Sequence, residues 1–150
     1  MEAHYYHVDL EWITDRKGKI SSTVLDTTIE VATPPEFPKG MPGLWSPEHL
    51  FTAAVNSCFM TTFLAIAENS NLDFKSITVP AKGKLDKIDG KFAMSEVVLE
   101  PVLTILNEED REKAEKILHK VERACLITNS LKTEVFLKPS ILLEESMAEL

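Results

Sequence analysis

Ser46-Pro47-Glu48-His49-Leu50-Phe51-Thr52-Ala53-Ala54-Val55-Asn56-Ser57-Cys58-Phe59 is the stretch that decides the fold. It opens as a helix should, with Ser46 as N-cap, Pro47 at the first helical position and the acid Glu48 in the first turn. The pattern predicts a helix over 46–69, with Asn71 marking its end. Its apolar residues, among them Phe51, Val55, Phe59, Met60, Phe63 and Leu64, surround the axis, which predicts burial on all sides. A membrane span needs about 20 mainly apolar residues. Here Thr52, Asn56, Ser57, Thr61 and Thr62 interrupt the run, so it reads as a buried core helix. A single small domain does not easily wrap so long a helix, which points to cover from a second subunit.

Working outward, residues 34–45 hold Pro34, Pro35, Pro38 and Pro42 with Gly40 and Gly43, a long loop of the kind that is usually functional. Before it, residues 4–33 read as three strands. Tyr6, Val8, Leu10 and Trp12 alternate with His7, Asp9 and Glu11, the mark of a half-buried strand. Asp15-Arg16-Lys17-Gly18 supplies the first turn. After the helix, residues 77–106 read as two strands joined by Ile88-Asp89-Gly90-Lys91. Asn107 then caps a second helix, predicted over 107–126, whose stripe of Ala114, Ile117, Leu118, Val121 and Cys125 is amphipathic. A strand at 132–138 and a mobile tail at 140–150 complete the reading. The order predicts one α+β domain over 1–150 with antiparallel sheets.

The composition narrows the function. The 150 residues carry 16 Lys and Arg against 24 Asp and Glu, a formal charge of −8, so nucleic acid is not an expected partner. Two cysteines are too few for a disulfide scaffold or a four-cysteine zinc site. His4 and His7 fall on opposite faces of a strand, while His49 and His119 stand apart, so no metal is expected. There is no phosphate-binding glycine loop and no Gly-x-Ser-x-Gly elbow. The N-terminus lacks the pattern of a signal peptide, and a soluble, cytoplasmic protein with no membrane partner is expected.

The cysteines remain. Cys58 lies mid-helix and Cys125 on the buried stripe of the second helix, on faces able to meet. Taken alone, an isolated buried cysteine is more often a small hydrophobe than a catalyst.

The segment Ser46–Phe59 resembles the region around the reactive cysteine of the OsmC/Ohr family of organic hydroperoxide reductases. Ala124-Cys125-Leu126-Ile127-Thr128-Asn129-Ser130 is similar to the segment around that family's second cysteine, and the element order and Pro-rich loop agree. The resemblance implies an OsmC-like, intertwined homodimer and a thiol peroxidase for organic hydroperoxides. Cys58 matches the peroxidatic cysteine, which becomes a sulfenic acid, and Cys125 the resolving cysteine that condenses with it to a disulfide. An external dithiol, dihydrolipoyl or another thiol on a reductant protein, then reduces the disulfide, and no bound cofactor is implied. Arg16 and Glu48 match the family's helper arginine and glutamate.

The chemistry calls for such helpers. A free thiol has a pKa of ~8.5 and burial raises it. A guanidinium keeps its charge, can favour a thiolate and can stabilise the alkoxide leaving group. Glu48 can hold the guanidinium by two hydrogen bonds. Glu48 and Cys58, ten residues apart on one helix, are separated by about 15 Å of rise, which again suggests a site built by two subunits. Phe51, Phe59, Met41 and Trp45 are expected to bind the organic part of the substrate.

The chain departs from the family pattern at two places. Thr14-Asp15 stand where glycines often precede the arginine, and Leu126-Ile127 where a proline and an aromatic often follow the second cysteine. Two other readings compete: a non-catalytic binding or redox-sensing module of the same fold, and a cysteine hydrolase. The hydrolase needs a histidine near Cys58, and His49 lies about 13 Å away along the helix.

Overall fold

The computed structural model describes residues 1–145. The chain divides into two compact units, Met1–Leu50 and the remainder from Phe51, where the sequence pattern suggests one domain.

Unit 1 is a three-stranded antiparallel sheet, β1 (Asp9–Thr14), β2 (Lys17–Ser21) and β3 (Ile29–Ala32), in that order. The strands are shorter than the predicted span over 4–33, and residues 1–8 lie outside them. The alternation in β1 is real but its burial is not: Leu10 is 69% and Trp12 74% exposed. The turn at Asp15 has φ of 50°, a conformation easiest for glycine and tolerated by Asp. The Pro-rich loop has no regular structure of its own. It is tied down at both ends, where Met41 N–H donates to Thr33 O and Ala32 N–H to Trp45 O.

α1 (Pro47–Asn69) starts as predicted. It ends with Asn71 at φ 55°, where Leu72 N–H reaches Ala67 O and Asn71 N–H reaches Glu68 O. That pair of bonds is a Schellman motif, with Asn71 in the usual glycine place. Burial on all sides is corrected. Val55, Phe59, Phe63 and Ala67, spaced four apart, are buried, whereas Met60 and Leu64 are 39% and 42% exposed. α1 is long and apolar enough to cross a membrane by length and composition; its buried face is part of a core.

The core of unit 2 lies between that face, two sheets and a second helix. The predicted pair of strands over 77–106 is four: β4 (Phe74–Thr78), β5 (Ala81–Ile88), β6 (Lys91–Leu99) and β7 (Val102–Ile105). Pro80 and Pro101, which have no N–H for a ladder, stand at the breaks. One sheet has the order β4-β7-β9 and the other β5-β6-β8, with β8 (Glu134–Leu137) and β9 (Ser140–Leu143). The hairpin β5–β6 turns at Asp89 and Gly90, both at positive φ. The expectation of antiparallel sheets is corrected in unit 2, because β6–β8 and β7–β9 are parallel pairs. The expected mobile tail is corrected for residues 140–143, which form β9; residues 146–150 lie outside the described residues.

The predicted helix 107–126 is segmented. A 3-10 turn (Glu108–Asp110) leads into α2 (Arg111–Ala124), and the Asn107 side chain makes no capping bond. Ala114, Ile117, Leu118 and Val121 carry the buried stripe as expected. Cys125 lies just past α2 with φ −67° and ψ 111°, and a short α3 (Leu126–Asn129) follows.

Candidate active site

The two cysteines meet. Cys58 projects from α1 and is half-buried; Cys125, at the α2–α3 corner, is buried, and both are free thiols. Their side chains are hydrogen-bonded to one another. The core fixes both ends of this contact. Phe59, next to Cys58, is wholly buried, and Val121, one turn before Cys125, is too.

The extended backbone at Cys125 turns the chain so that the N–H groups of Leu126 and Ile127 hydrogen-bond to Cys58. The Thr62 hydroxyl lies 3.8 Å from Cys58 Sγ, one helical turn on. Burial pushes the Cys58 thiol up, but the bonds from Ile127 N–H, the Cys125 thiol, Thr62 and Leu126 N–H outweigh it. The net result is a pKa below that of an ordinary thiol. Cys125 moves the other way. Burial raises its pKa, and the bonded Cys58 adds to the rise, against the opposing pull of Thr128. The pair is therefore differentiated: a half-exposed sulfur disposed to ionise, and a buried one disposed to keep its proton.

Arg16 and Glu48 belong to unit 1. Arg16 is an exposed residue of the β1–β2 turn, and its carbonyl accepts a bond from Thr33 N–H. Glu48 occupies the first turn of α1, half-buried. Of the residues expected to bind substrate, Met41 is half-buried and Trp45 exposed in unit 1, and Phe51 is half-buried against the core of unit 2. Phe59, also expected to bind substrate, is fully buried inside the core, because it shares the four-residue spacing of Val55 and Phe63. Its side chain serves packing.

His49 has a structural task. The buried Ser46 hydroxyl accepts the His49 main-chain N–H at 3.2 Å and shares a 2.7 Å hydrogen bond with His49 Nδ1. Trp45 packs edge-on against the same ring. This strengthens the predicted cap. Among the described residues no cluster of His, Cys, Asp or Glu is arranged to hold a metal ion. Sequence reasoning missed Thr62 and the Leu126 and Ile127 amides. The i, i+4 spacing of Cys58 and Thr62 was the available signal for the first; main-chain donors leave none.

A profile described as OsmC-like protein matches residues 40–140, about two thirds of the chain. The Bacillus subtilis protein YmaD is 24% identical over 146 residues, covering 92% of this chain and 93% of that one. Among solved structures, an OsmC-like protein from Vibrio cholerae is similar with a TM-score of 0.81 and 26% identity, over 91% of this chain and 99% of its own. An organic hydroperoxide resistance protein from Legionella pneumophila shares the fold, with a TM-score of 0.73 at 23% identity over 93% of this chain and 99% of its own.

Proposed function

We propose, from the premise that this chain belongs to the OsmC-like family, that it is a cysteine-based peroxidase that reduces organic hydroperoxides to alcohols. The observation that carries the reading is the hydrogen-bonded pair of free, unequal thiols, Cys58 and Cys125.

The Cys58 thiolate attacks the distal oxygen of the hydroperoxide. An S–O bond forms, the O–O bond breaks, and the alkoxide leaves and takes a proton to become the alcohol. The sulfur is now a sulfenic acid. Cys125 then attacks that sulfur, the S–O bond breaks, and hydroxide leaves with the Cys125 proton as water. In sum, two thiols and one hydroperoxide give a disulfide, an alcohol and water. A dithiol of the dihydrolipoyl type, or another thiol carried by a reductant protein, restores the thiols by exchange.

Arg16 is assigned the stabilisation of charge on the departing alkoxide, a task suited to a guanidinium that never loses its proton. Glu48 is assigned the orientation of that guanidinium. Met41, Trp45 and Phe51 are assigned to the organic part of the substrate.

The working unit in this reading is a homodimer in the cytoplasm, where thiols stay reduced. It is supported by apolar side chains that one chain leaves in solvent: Leu10 and Trp12 on β1, Met60 and Leu64 on α1.

The test is consumption of cumene hydroperoxide by the reduced protein with dihydrolipoamide. Turnover is expected in the natural sequence and none in Cys58→Ser. Arg16→Ala should slow kcat by about 100-fold or more, the cost of removing one well-placed charge-stabilising donor. Tight binding of an apolar ligand without consumption of hydroperoxide would favour the binding module instead.

A further inference from the structure

The first main-chain hydrogen bond of α3 runs from Asn129 N–H to Cys125 O. The N–H groups of Leu126 and Ile127 therefore have no acceptor within their own helix. Cys125 occupies the N-cap position, yet its side chain makes no capping bond. The acceptor is supplied instead by α1, as the sulfur of Cys58. Thr62 adds a hydroxyl to the same sulfur at 3.8 Å. Its neighbour Thr61 turns its hydroxyl back to the carbonyl of Cys58, so the two threonines are not equivalent.

We infer that the nucleophile is prepared by neutral donors of unit 2, namely the Thr62 hydroxyl, the Cys125 thiol and the main-chain N–H groups of Leu126 and Ile127, with Thr62 a catalytic residue. Each of these groups donates a hydrogen bond that is stronger to a thiolate than to a thiol, so each favours the ionised form. Cys125 thereby has two successive tasks. Its S–H first holds the Cys58 thiolate, and its sulfur then attacks the sulfenic acid. Its burial suits the first task, because a buried thiol is reluctant to give up the proton that it donates. The roles of Thr62 and Cys125 in turnover rest on the peroxidase reading; the ionisation of Cys58 does not.

The test is the pH dependence of iodoacetamide alkylation at Cys58 in the reduced full chain, with the site of modification read by peptide mass spectrometry. Thr62→Val keeps the shape of the side chain and removes the donor. It should shift the midpoint up by about half a pH unit or more, since one unit corresponds to about 1.4 kcal/mol and a charge-assisted bond is of that order. Thr62→Ser should return the midpoint to the natural value. Cys125→Ala should also raise it, whereas Cys125→Ser, which keeps a donor, should raise it less. A midpoint unmoved in both Thr62→Val and Cys125→Ala would overturn the inference, as would a Thr62→Ser variant that titrates like Thr62→Val. A midpoint that moves only in Arg16→Ala would overturn it too. If the shifts appear but the natural protein consumes no hydroperoxide, the donor set stands and the peroxidase reading falls.

Discussion

Cys58 on α1 and Cys125 at the α2–α3 corner share one hydrogen bond between their thiols, with the pKa of the half-buried Cys58 held below that of an ordinary thiol while burial raises that of Cys125. Burial raises Cys125, and hydrogen bonds lower Cys58, two of them from the main chain. The corner at Cys125 offers the Leu126 and Ile127 amides to its partner rather than to itself. The departure from the family pattern has a physical meaning here. A proline after the second cysteine would have no N–H, and Leu126 in that place gives Cys58 a donor.

The reaction should therefore follow the lowered Cys58 pKa. A thiolate attacks and a thiol does not, so the single-turnover rate should rise with pH and level off before an ordinary thiol ionises at ~8.5. Stopped-flow mixing with cumene hydroperoxide across pH measures this. A midpoint at or above the ordinary thiol value would contradict it.

Phe59 is a core residue although it stands next to Cys58 in the sequence. Phe59→Ala should lower the free energy of unfolding by about 3–5 kcal/mol, the range for deleting a buried aromatic. The smaller change Phe59→Leu should cost less and leave KM for the hydroperoxide near its natural value. Urea denaturation and steady-state kinetics check the two parts. A KM raised tenfold in Phe59→Leu would return Phe59 to the substrate site.

The proposed homodimer is open to a direct measurement. Sedimentation at micromolar concentration should give twice the 16.8 kDa chain mass. Leu64→Glu, which puts a charge on the exposed apolar side of α1, should shift the protein towards monomer. A natural protein that sediments as a monomer would contradict the assignment.

Organic hydroperoxides should be preferred to hydrogen peroxide. Met41, Trp45 and Phe51 offer apolar surface, worth about 25 cal/mol for each Å² removed from water. An organic group burying about 100 Å² would gain roughly 2.5 kcal/mol, some 50–100-fold in kcat/KM. Hydrogen peroxide must shed its water without such a return. Equal kcat/KM values for cumene hydroperoxide and hydrogen peroxide would show that the apolar side chains do not bind substrate.

What the sequence disclosed follows from how local each signal is. The start of α1 was readable at Ser46 and Pro47, and its end at Asn71, because caps are chosen by a few adjacent residues. The tight turn at Asp89-Gly90 was readable for the same reason. Parallel pairing of β6 with β8 and of β7 with β9 was not, since it joins segments far apart and no short pattern records it. Pro80 and Pro101 mark the breaks between the four observed strands, and the two-strand reading passes over both. The second helix, predicted to 126, ends two residues earlier at Ala124, because Cys125 continues the apolar stripe and no glycine or proline announces the corner. At the candidate site, the two thiols are legible in the sequence as the cysteines of two apolar helical stretches. Two of the four donors to Cys58 are amides, which any residue but proline provides.

The central claim is that Cys58 and Cys125 act as one redox pair, and single turnover tests it most directly. Reduced protein is mixed with cumene hydroperoxide without reductant, free thiols are counted before and after, and the product is mapped by peptide mass spectrometry. The account predicts that both thiols disappear with a loss of two hydrogens and that an intramolecular Cys58–Cys125 disulfide forms. Cys125→Ser should still reduce one equivalent and stop at a Cys58 sulfenic acid. Two free thiols after excess hydroperoxide would contradict the account.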